Sequence, residues 1–445
     1  MEMLRKNYTF AATKVKSMAE YKKRIADEML QGKLEGMGAV LIDGPKWCGK
    51  TTTAEQHAGS VLYMNDPKRR HMNVQLAQMS PETLLSGDTP RLIDEWQIAP
   101  SLWDSVRFEC DHRHADGQFI LTGSSVPPEH VEDEEYFSHS GTGRIARLHM
   151  RPMSLWESGD SSGKVSLNDL FHGRAVPVES KEIKIGDLAY LVCRGGWPKA
   201  TLQEPRIALG RAFDYYEAVT DMDISRVDGV KRDSQKVKLL MRSYARHQGA
   251  QVSIAKIKSD IMENGGDSMS EKTIESYLEV LRKLFVIEDM HAWNPNLRSK
   301  TAIRTADTRY FIDPSIAVAA LGAGPEDLVD DLETFGLLFE TMAVRDLRVY
   351  ADALNGNVFH YRDKDGLECD AVLHLRNGQY GLIEIKLGGE SNIEAGAGTL
   401  KALRDKIDID KMRKPAFLMV LTGLSPYAYM RQDGIWIVPI SELKQ

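Results

Sequence analysis

The sequence predicts an α/β protein in three parts: a parallel sheet covered by helices, a helical middle region and a C-terminal α/β domain. Three observations predict this class. The chain has 445 residues, and single domains usually have about 100–200, so two to four domains are expected. Near the N-terminus, short apolar runs alternate with helical spacing, as in parallel sheets. The spacing of apolar residues becomes helical after about residue 205, and strand-like runs return after about residue 326. The expected regions are therefore 1–205, 206–325 and 326–445.

The N-terminal region contains three apolar runs that predict buried strands. They are Gly38–Asp43 (GAVLID), Arg91–Asp94 (RLID) and Gln118–Thr122 (QFILT). One helix is predicted before the first run, over residues 14–36, and another directly after it, from Thr51 to Gly59. Strands separated by helical stretches predict parallel pairing, because the crossover helix returns the chain to the same edge of the sheet.

The composition is that of an ordinary globular chain, with 42% hydrophobic and 27% charged residues. A net charge of −7 gives no general basic surface, so any nucleic-acid contact has to come from a local patch. The four cysteines, Cys48, Cys110, Cys193 and Cys369, form no CxxC pair, which argues against a zinc site or a disulfide framework and suits a reducing compartment. No apolar run approaches the ~20 residues that span a bilayer, and the N-terminus lacks a signal-peptide core. We therefore expect a cytoplasmic protein without a membrane partner.

A glycine-rich turn joins the first predicted strand to the next helix. Its pattern, Gly-x-x-x-x-Gly-Lys-Thr from Gly44 to Thr51, is the phosphate-binding pattern in its proper strand-to-helix context. The glycines let backbone N–H groups converge on phosphate oxygens, and the helix N-terminus adds positive potential. Lys50 is expected to reach the β- and γ-phosphates of ATP, and the Thr51 hydroxyl to hold Mg²⁺. The expected nucleotide-binding residues are Gly44, Pro45, Lys46, Trp47, Cys48, Gly49, Lys50, Thr51, Thr52 and Asp94, where Lys46, Trp47 and Cys48 occupy positions at which only the backbone matters.

Two further strand ends carry polar side chains that would complete such a site. The run RLIDEWQ places Asp94 to bind Mg²⁺ together with Thr51, and Glu95 to orient and deprotonate the attacking water. The run QFILTGSS ends in Thr122 and Ser124, either of which is a candidate to lie between the γ-phosphate and Glu95. The alternative for this third run is a simple exit from strand to loop.

These motifs resemble the AAA-type P-loop ATPases, and in particular a prokaryotic family in which such a domain precedes a domain of unknown function. The matching stretches are LIDGPKWCGKTT, RLIDEWQ, FILTGSS, GTGRIARLHMRPMSLWE, YLVCRGGWP and YFIDPSIA. The resemblance makes Arg144 the candidate arginine finger, acting either within its own subunit or across a subunit contact of a homo-oligomer; the alternative is an ordinary surface arginine. Arg147 and Arg151 are weaker candidates for the finger. Arg194 is a candidate sensing arginine, and the alternative is that the Gly-Gly-Trp-Pro beside it is only a turn and packing motif.

The middle region is expected to contain a winged helix. Helices are predicted at Ile207–Val219 and Ser234–His247, followed by a helix, a Gly-Gly turn and a second helix capped near Ser270. Phe285–Met290 and Thr308–Ile312 would form the wing. Winged helices contact DNA or protein, and the charge pattern leaves both open. The basic positions are Lys272, Arg282, Lys283, Arg298, Lys300 and Arg304.

The C-terminal region brings three charged residues together on predicted strands. Glu384 and Lys386 are two apart on one strand and so share a face, and Asp370 begins the neighbouring strand. Two carboxylates can hold a divalent metal while a lysine activates water for phosphodiester attack. This resembles the PD-(D/E)xK restriction-endonuclease-like fold, in which Glu340 matches an upstream acidic residue and Glu368 is a spare. The alternative is a structural ion pair between Glu384 and Lys386.

Three functional hypotheses follow. The chain is an ATP-hydrolysing machine whose nuclease-like domain binds or cleaves DNA or RNA, a nucleotide-dependent regulatory switch, or a remodeller of a protein partner. An intact Asp370, Glu384 and Lys386 set favours the first hypothesis. The lack of a strongly basic surface favours the other two, in which the C-terminal fold is a silent contact module.

Overall fold

The structure is a computed structural model that describes residues 21–124, 141–180, 183–226, 229–264, 269–294, 306–407 and 412–445. Its N-terminal sheet has five strands, all parallel, in the order β2-β3-β4-β1-β5. The expected parallel sheet is therefore confirmed, with two strands that the sequence reading missed, β2 and β5. The strands are β1 (Ala39–Asp43), β2 (Ser60–Tyr63), β3 (Arg91–Asp94), β4 (Phe119–Gly123) and β5 (Ile145–His149).

Helices cover both faces of this sheet. Alternate residues of β1 and β4 enter two different apolar clusters, one with Leu41 and Leu121 and the other with Ile42 and Ile120. This alternation is the pattern of strands buried on both faces, and it explains why these runs are continuously apolar. The helices are α1 (Ile25–Leu34), α2 (Lys50–His57), α3 (Arg70–Met79), α4 (Pro81–Leu85) and α5 (Leu102–Arg113).

A connecting segment then contributes short elements to other parts of the molecule. Strand β6 pairs with the last strand of the chain and β7 forms the edge of the C-terminal sheet. The chain therefore crosses from the N-terminal sheet to the C-terminal one before it enters the helical middle. The elements are α6 (Leu155–Ser158), β6 (Val165–Ser166), α7 (Leu167–Phe171), β7 (Val178–Glu179) and α8 (Ile185–Arg194).

The middle region is helical, as expected, but its wing is not a pair of strands. Ile287 and Met290 make isolated antiparallel bridges to Phe311 and Thr308, and the structure assigns no strand around them. Phe285 has a left-handed backbone (φ 55°) directly after the preceding helix, which interrupts the expected extended run. The helices are α9 (Pro205–Asp221), α10 (Ser234–Arg246), α11 (Ile254–Glu263), α12 (Glu271–Lys283), α13 (Pro314–Leu321) and α14 (Pro325–Asp330).

The C-terminal region is a mixed seven-stranded sheet in the order β7-β12-β13-β11-β10-β9-β8. Its centre is parallel, through β10, β11 and β13, whereas β8, β9 and β10 form an antiparallel meander. The elements are α15 (Leu332–Ala353), β8 (Gly356–Arg362), β9 (Glu368–Leu375), β10 (Tyr380–Gly388), α16 (Glu390–Lys406), β11 (Phe417–Leu424), β12 (Tyr427–Met430), β13 (Ile435–Pro439) and β14 (Leu443–Lys444).

Candidate functional site

The glycine-rich loop lies between the end of β1 and the first residue of α2, as the sequence predicted. Gly44 has φ +141°, and a Cβ there would lie 2.1 Å from the Met150 carbonyl oxygen, so no other residue fits. Gly49 caps α2 in a left-handed conformation, with φ 103°. Cys48 is a buried residue of the loop, and its carbonyl oxygen accepts a 2.8 Å hydrogen bond from Arg24. The loop therefore wraps the N-terminus of α2, the usual position for phosphate.

Lys50 is held inside this loop. Its side chain is 7% exposed, and its ammonium donates hydrogen bonds to the carbonyl oxygens of Gly44 and Pro45, both at 2.8 Å. An ammonium that is buried this deeply needs such partners. Since both partners belong to the loop itself, the charge stays at the position where phosphate oxygens would gather.

Asp94, the last residue of β3, links the start of α2 to β4. Its Oδ1 atom accepts hydrogen bonds from the hydroxyls of Thr51 and Thr122, each at 2.6 Å, and the residue is 4% exposed. Asp94 and Thr122 are register partners of β3 and β4. Thr122, one of the two candidates for the position between a γ-phosphate and Glu95, bonds instead to Asp94. Ser124 does line the same cavity as Glu95.

Glu95 directly follows β3 in a left-handed backbone conformation, with φ 58°, which is unusual for a non-glycine residue. The Gln97 amide donates a short hydrogen bond to its Oε2 atom. Burial raises the pKa of the Glu95 carboxyl, while the nearby charges of Lys50 and Lys46 act against that rise. The residue is thus a carboxylate at the mouth of the phosphate loop, held in a strained backbone.

A cavity of about 520 Å³ lies over the loop. Its walls include most of the residues that the sequence singled out, together with residues from the segment after α8 and one from α9. Trp197 and Pro198 belong to the stretch YLVCRGGWP, whereas no local pattern marks Lys199 or Arg211. The additional wall residues are Trp197, Pro198, Lys199, Ala200 and Arg211.

The candidate arginines occupy very different places. Arg144 is exposed, pairs with Asp111 at 2.8 Å, and precedes β5 at the end of the sheet where β1 begins. Arg144 is level with Gly38, six residues before the phosphate loop begins, which at about 3.3 Å per residue is about 20 Å along the strand. Arg147 is exposed on β5. The other two are fixed by ion pairs, Arg151 to Glu288 and Asp352 and Arg194 to Asp160.

The three charged residues of the C-terminal sheet meet. The Lys386 ammonium lies 3.0 Å from Asp370 Oδ2 and 2.8 Å from Glu384 Oε2. The backbone N–H of Ile385 also donates to Asp370 Oδ2, at 2.7 Å. The lysine therefore lies between the two carboxylates that we expected to hold a metal. The spare acid, Glu368, pairs with Arg362 at 2.9 Å.

Glu340 of α15 lies close enough to this cluster to feel the charges of Asp370, Lys386 and Glu384. Its Oε1 atom accepts a 2.6 Å hydrogen bond from the Tyr310 hydroxyl. Burial raises the pKa of both Glu340 and Glu384, and the negative charge of Asp370 adds to the rise. Glu384 is 3% exposed, and within the described part of the chain its Oε1 atom has no hydrogen-bond partner. The cluster thus holds one more buried carboxylate oxygen than its lysine satisfies.

Neither oxygen-rich site is an all-protein metal cage. Among the described residues, no three histidine, cysteine, aspartate or glutamate side chains are arranged to hold a metal ion. Mg²⁺ in nucleotide sites needs only one or two protein oxygens, because phosphates and waters complete its shell. Thr51 and Asp94 provide such a donor pair. At the C-terminal cluster, the orphaned Glu384 oxygen and Asp370 provide another.

The basic residues expected on the middle region are largely neutralised where the structure describes them. Arg282 pairs with Asp289 at 2.6 Å and Lys283 pairs with Glu279 at 2.8 Å, while Lys272 is exposed on α12. Arg298, Lys300 and Arg304 lie outside the described residues. The helix α12, for which contact with DNA and contact with protein were both left open, therefore presents little free positive charge among its described residues.

Comparison with protein families divides the chain into three matches. Residues 37–158 match the family described as an AAA domain, AAA_14. Residues 185–327 and 335–443 match two domains of unknown function, DUF8612 and DUF4143. The N-terminal region is therefore an AAA-type ATPase domain. The chain has no significant sequence match among curated proteins.

Solved structures give only distant likenesses. The Walker-type ATPase PABY2304 of Pyrococcus abyssi is 14% identical with a TM-score of 0.41, over 66% of this chain and 94% of that one. The ORC1 protein of Aeropyrum pernix, solved in complex with DNA, is 16% identical with a TM-score of 0.23, over 69% and 92% of the two chains. These scores carry no argument about function. No helix in the described residues has the length and apolar character to cross a membrane.

Proposed function

Taking residues 37–158 as an AAA-type ATPase domain, we propose that the chain binds ATP with Mg²⁺ at the Gly44–Thr51 loop and hydrolyses it. The observation that carries this proposal is the junction at Asp94, whose Oδ1 atom accepts both the Thr51 and the Thr122 hydroxyl at 2.6 Å. The junction aligns a hard oxygen donor pair beside the buried Lys50 ammonium. Both features are what a magnesium–triphosphate ligand requires.

In this proposal each residue has a separate task. Loop N–H groups and Lys50 bind phosphate oxygens, and Thr51 and Asp94 hold Mg²⁺, which when bound neutralises charge on the β- and γ-phosphates. Glu95 orients the attacking water and accepts its proton, and Ser124 lies beside it at the cavity wall. Arg144 is too far from its own loop, so it serves a neighbouring copy in a homo-oligomer.

Isothermal titration of ATP into the protein tests the proposal. Lys50→Ala should lose at least roughly ten-fold in affinity, because one charge-assisted bond to phosphate contributes about 1.5–3 kcal/mol. Lys68→Ala removes an equally positive but exposed side chain outside the cavity and should bind ATP as the wild type does. Undiminished affinity in Lys50→Ala would refute the assignment of this loop.

A second function is supported at the C-terminal cluster, where we propose a divalent-metal site for phosphodiester chemistry on DNA or RNA. The supporting observation is the buried, unpartnered Oε1 atom of Glu384 beside Asp370 and Lys386. A buried carboxylate oxygen without a partner costs free energy, and a divalent cation would satisfy it. Lys386, displaced from between the carboxylates, would then face the attacking water.

The alternative to this second function is a contact module whose charges only stabilise the sheet. It is supported by the double pairing of Lys386, which already offsets most of the cluster's charge. Titration of Mn²⁺ separates the two readings. Asp370→Asn should abolish a metal-binding isotherm seen in the wild type, whereas Glu368→Gln, on the same strand but paired with Arg362, should keep it.

A further inference from the structure

The phosphate loop is tied to the helical region by two side-chain contacts. The Lys46 ammonium lies 2.6 Å from Asp223 Oδ1. The Trp47 ring meets Tyr215 of α9 edge-on, with ring centroids 5.6 Å apart. Trp47 has a left-handed backbone, with φ 67°, which for a bulky side chain persists only where surrounding contacts hold it. The loop conformation thus depends on contacts outside the ATPase domain.

Lys46 lies within reach of two sites. It lines the same cavity as Lys50 and Glu95, yet its ammonium is directed to Asp223. Its side chain is 42% exposed, whereas that of Asp223 is only 7% exposed. A long, exposed lysine side chain reorients easily, but a buried carboxylate does not. The mobile partner of this pair is therefore the one on the phosphate loop.

A bound triphosphate would compete with Asp223 for this lysine. Its several negative charges in the cavity attract an ammonium more strongly than one carboxylate does. Breaking the pair leaves the Asp223 carboxylate buried without its cation. The free-energy cost of this unpaired charge weakens nucleotide binding. Asp223 begins the short turn Asp223–Ser225, two residues after α9 ends. Relief of that penalty requires this turn to move toward solvent.

We propose that Lys46 has two alternative partners, Asp223 in the nucleotide-free protein and the phosphate oxygens of a bound nucleoside triphosphate. Exchange between them removes one of the two contacts that tie the phosphate loop to the helical region, and so couples nucleotide binding to the turn that follows α9. The inference rests on the proposed ATP binding and goes beyond it, because it gives the Lys46 side chain a role where only its backbone was expected to act. It also identifies Asp223 as a built-in competitor of the nucleotide.

The test compares ATP affinity, measured by titration in Mg²⁺, among the wild type, Asp223→Asn, Lys46→Met and the double variant. Asp223→Asn removes the competing charge and the burial penalty while keeping the side-chain size. It should tighten ATP binding roughly two- to five-fold, the range expected for loss of one partly exposed ion pair. Lys46→Met should weaken binding, and adding Asp223→Asn to it should have no further effect, because the competition no longer exists.

Asp221→Asn is the matched control. Asp221 lies two residues away at the end of α9 but pairs with Lys238, outside the cavity. The Asp221→Asn protein should therefore bind ATP with the affinity of the wild type. Thermal unfolding of each variant checks that it is folded. Unchanged or weaker ATP binding by folded Asp223→Asn overturns the inference, as does a double variant that still responds to Asp223→Asn. A wild type that binds no ATP would instead overturn the proposed function itself.

Discussion

Thr122 Oγ1 donates a 2.6 Å hydrogen bond to Asp94 Oδ1 across the register of β4 and β3. The contact fixes the rotamer of the carboxylate that Thr51 also reaches. Because both hydroxyls meet one oxygen, the other oxygen of Asp94 and the Thr51 lone pairs keep a defined direction. If Mg²⁺ binds here as proposed, its two protein ligands are already oriented, which lowers the free-energy cost of organising the site.

This relationship gives the first prediction. Thr122→Val should lower ATP hydrolysis roughly ten-fold, as expected for loss of one buried hydrogen bond to a charged group, and it should do so by misplacing Asp94. The Mg²⁺ concentration needed for half-maximal hydrolysis should therefore rise. If Thr122 instead acted on Glu95 or the γ-phosphate, the maximal rate would fall and the Mg²⁺ dependence would stay that of the wild type.

The second prediction concerns Glu95. Glu95→Gln keeps the size of the side chain and the bond to Gln97 but removes the base, so ATP should bind normally while hydrolysis falls roughly 10²–10⁴-fold. Titration gives the affinity and phosphate release gives the rate. Glu55→Gln, which changes a half-buried acid of α2 whose partner is Tyr63, is the control. Wild-type turnover in Glu95→Gln would exclude Glu95 as the base.

The third prediction places Arg144 in a subunit contact. Arg144→Ala should lower hydrolysis roughly 10³-fold or more, the range for an arginine finger. Mixing it with inactive Glu95→Gln should restore part of the rate, because the latter can donate its Arg144 to an intact Glu95 site. Arg147→Ala, also exposed beside the same strand, should keep its activity. No rescue, together with a monomer in light scattering, would leave Arg144 a surface residue.

The fourth prediction addresses the C-terminal cluster. The wild type, incubated with Mn²⁺ and ATP, should cleave single- or double-stranded DNA or RNA. Lys386→Ala should cut roughly 10²-fold more slowly, because it lacks the group that activates water. Lys401→Ala, which removes a lysine of α16 that pairs with Asp433, should cut normally. If the wild type neither cuts nor binds Mn²⁺, the cluster is a stabilising ion pair and the domain a contact module.

The fifth prediction uses a buried charge network between regions. Burial alone would raise the pKa of Glu288, but the charges of Arg151 and Arg348 hold it well below its usual value. A lowered pKa stabilises the folded state above the unfolded value of about 4.3, and this gain is lost as pH falls toward the folded value. Glu288→Gln should therefore reduce the free energy of unfolding by about 3 kcal/mol at pH 7, and by progressively less below about pH 4.

Urea unfolding at several pH values measures this difference. Glu28→Gln removes an exposed acid paired with Lys23, and its effect should be within about 0.5 kcal/mol at every pH. If the loss of unfolding free energy in Glu288→Gln stayed the same in acid, its cause would be lost packing and not lost charge.

The sequence by itself determined the local parts of the molecule. The strand, the Gly44–Thr51 loop and the following helix are contiguous, so the spacing of glycines and apolar residues was enough to predict them. The same holds for Asp94 and Glu95 at a strand end, and for Glu384 and Lys386 on one strand face. The order of short apolar runs and helical stretches likewise predicted the parallel N-terminal sheet, because a crossover helix between two strands brings the second strand back parallel to the first.

Only the tertiary structure decided which distant side chains meet. Lys46 and Asp223 are 177 residues apart, and Arg151 and Glu288 are 137 apart, so no spacing in the chain marks either pair. In the structure Thr122 bonds to Asp94, and Lys386 lies between Asp370 and Glu384. Arg144 lies at the end of its sheet opposite the phosphate loop. Such contacts depend on how the packed helices and strands bring distant parts of the chain together. A buried charge without a partner costs free energy, so each one pairs with an opposite charge that the fold places beside it.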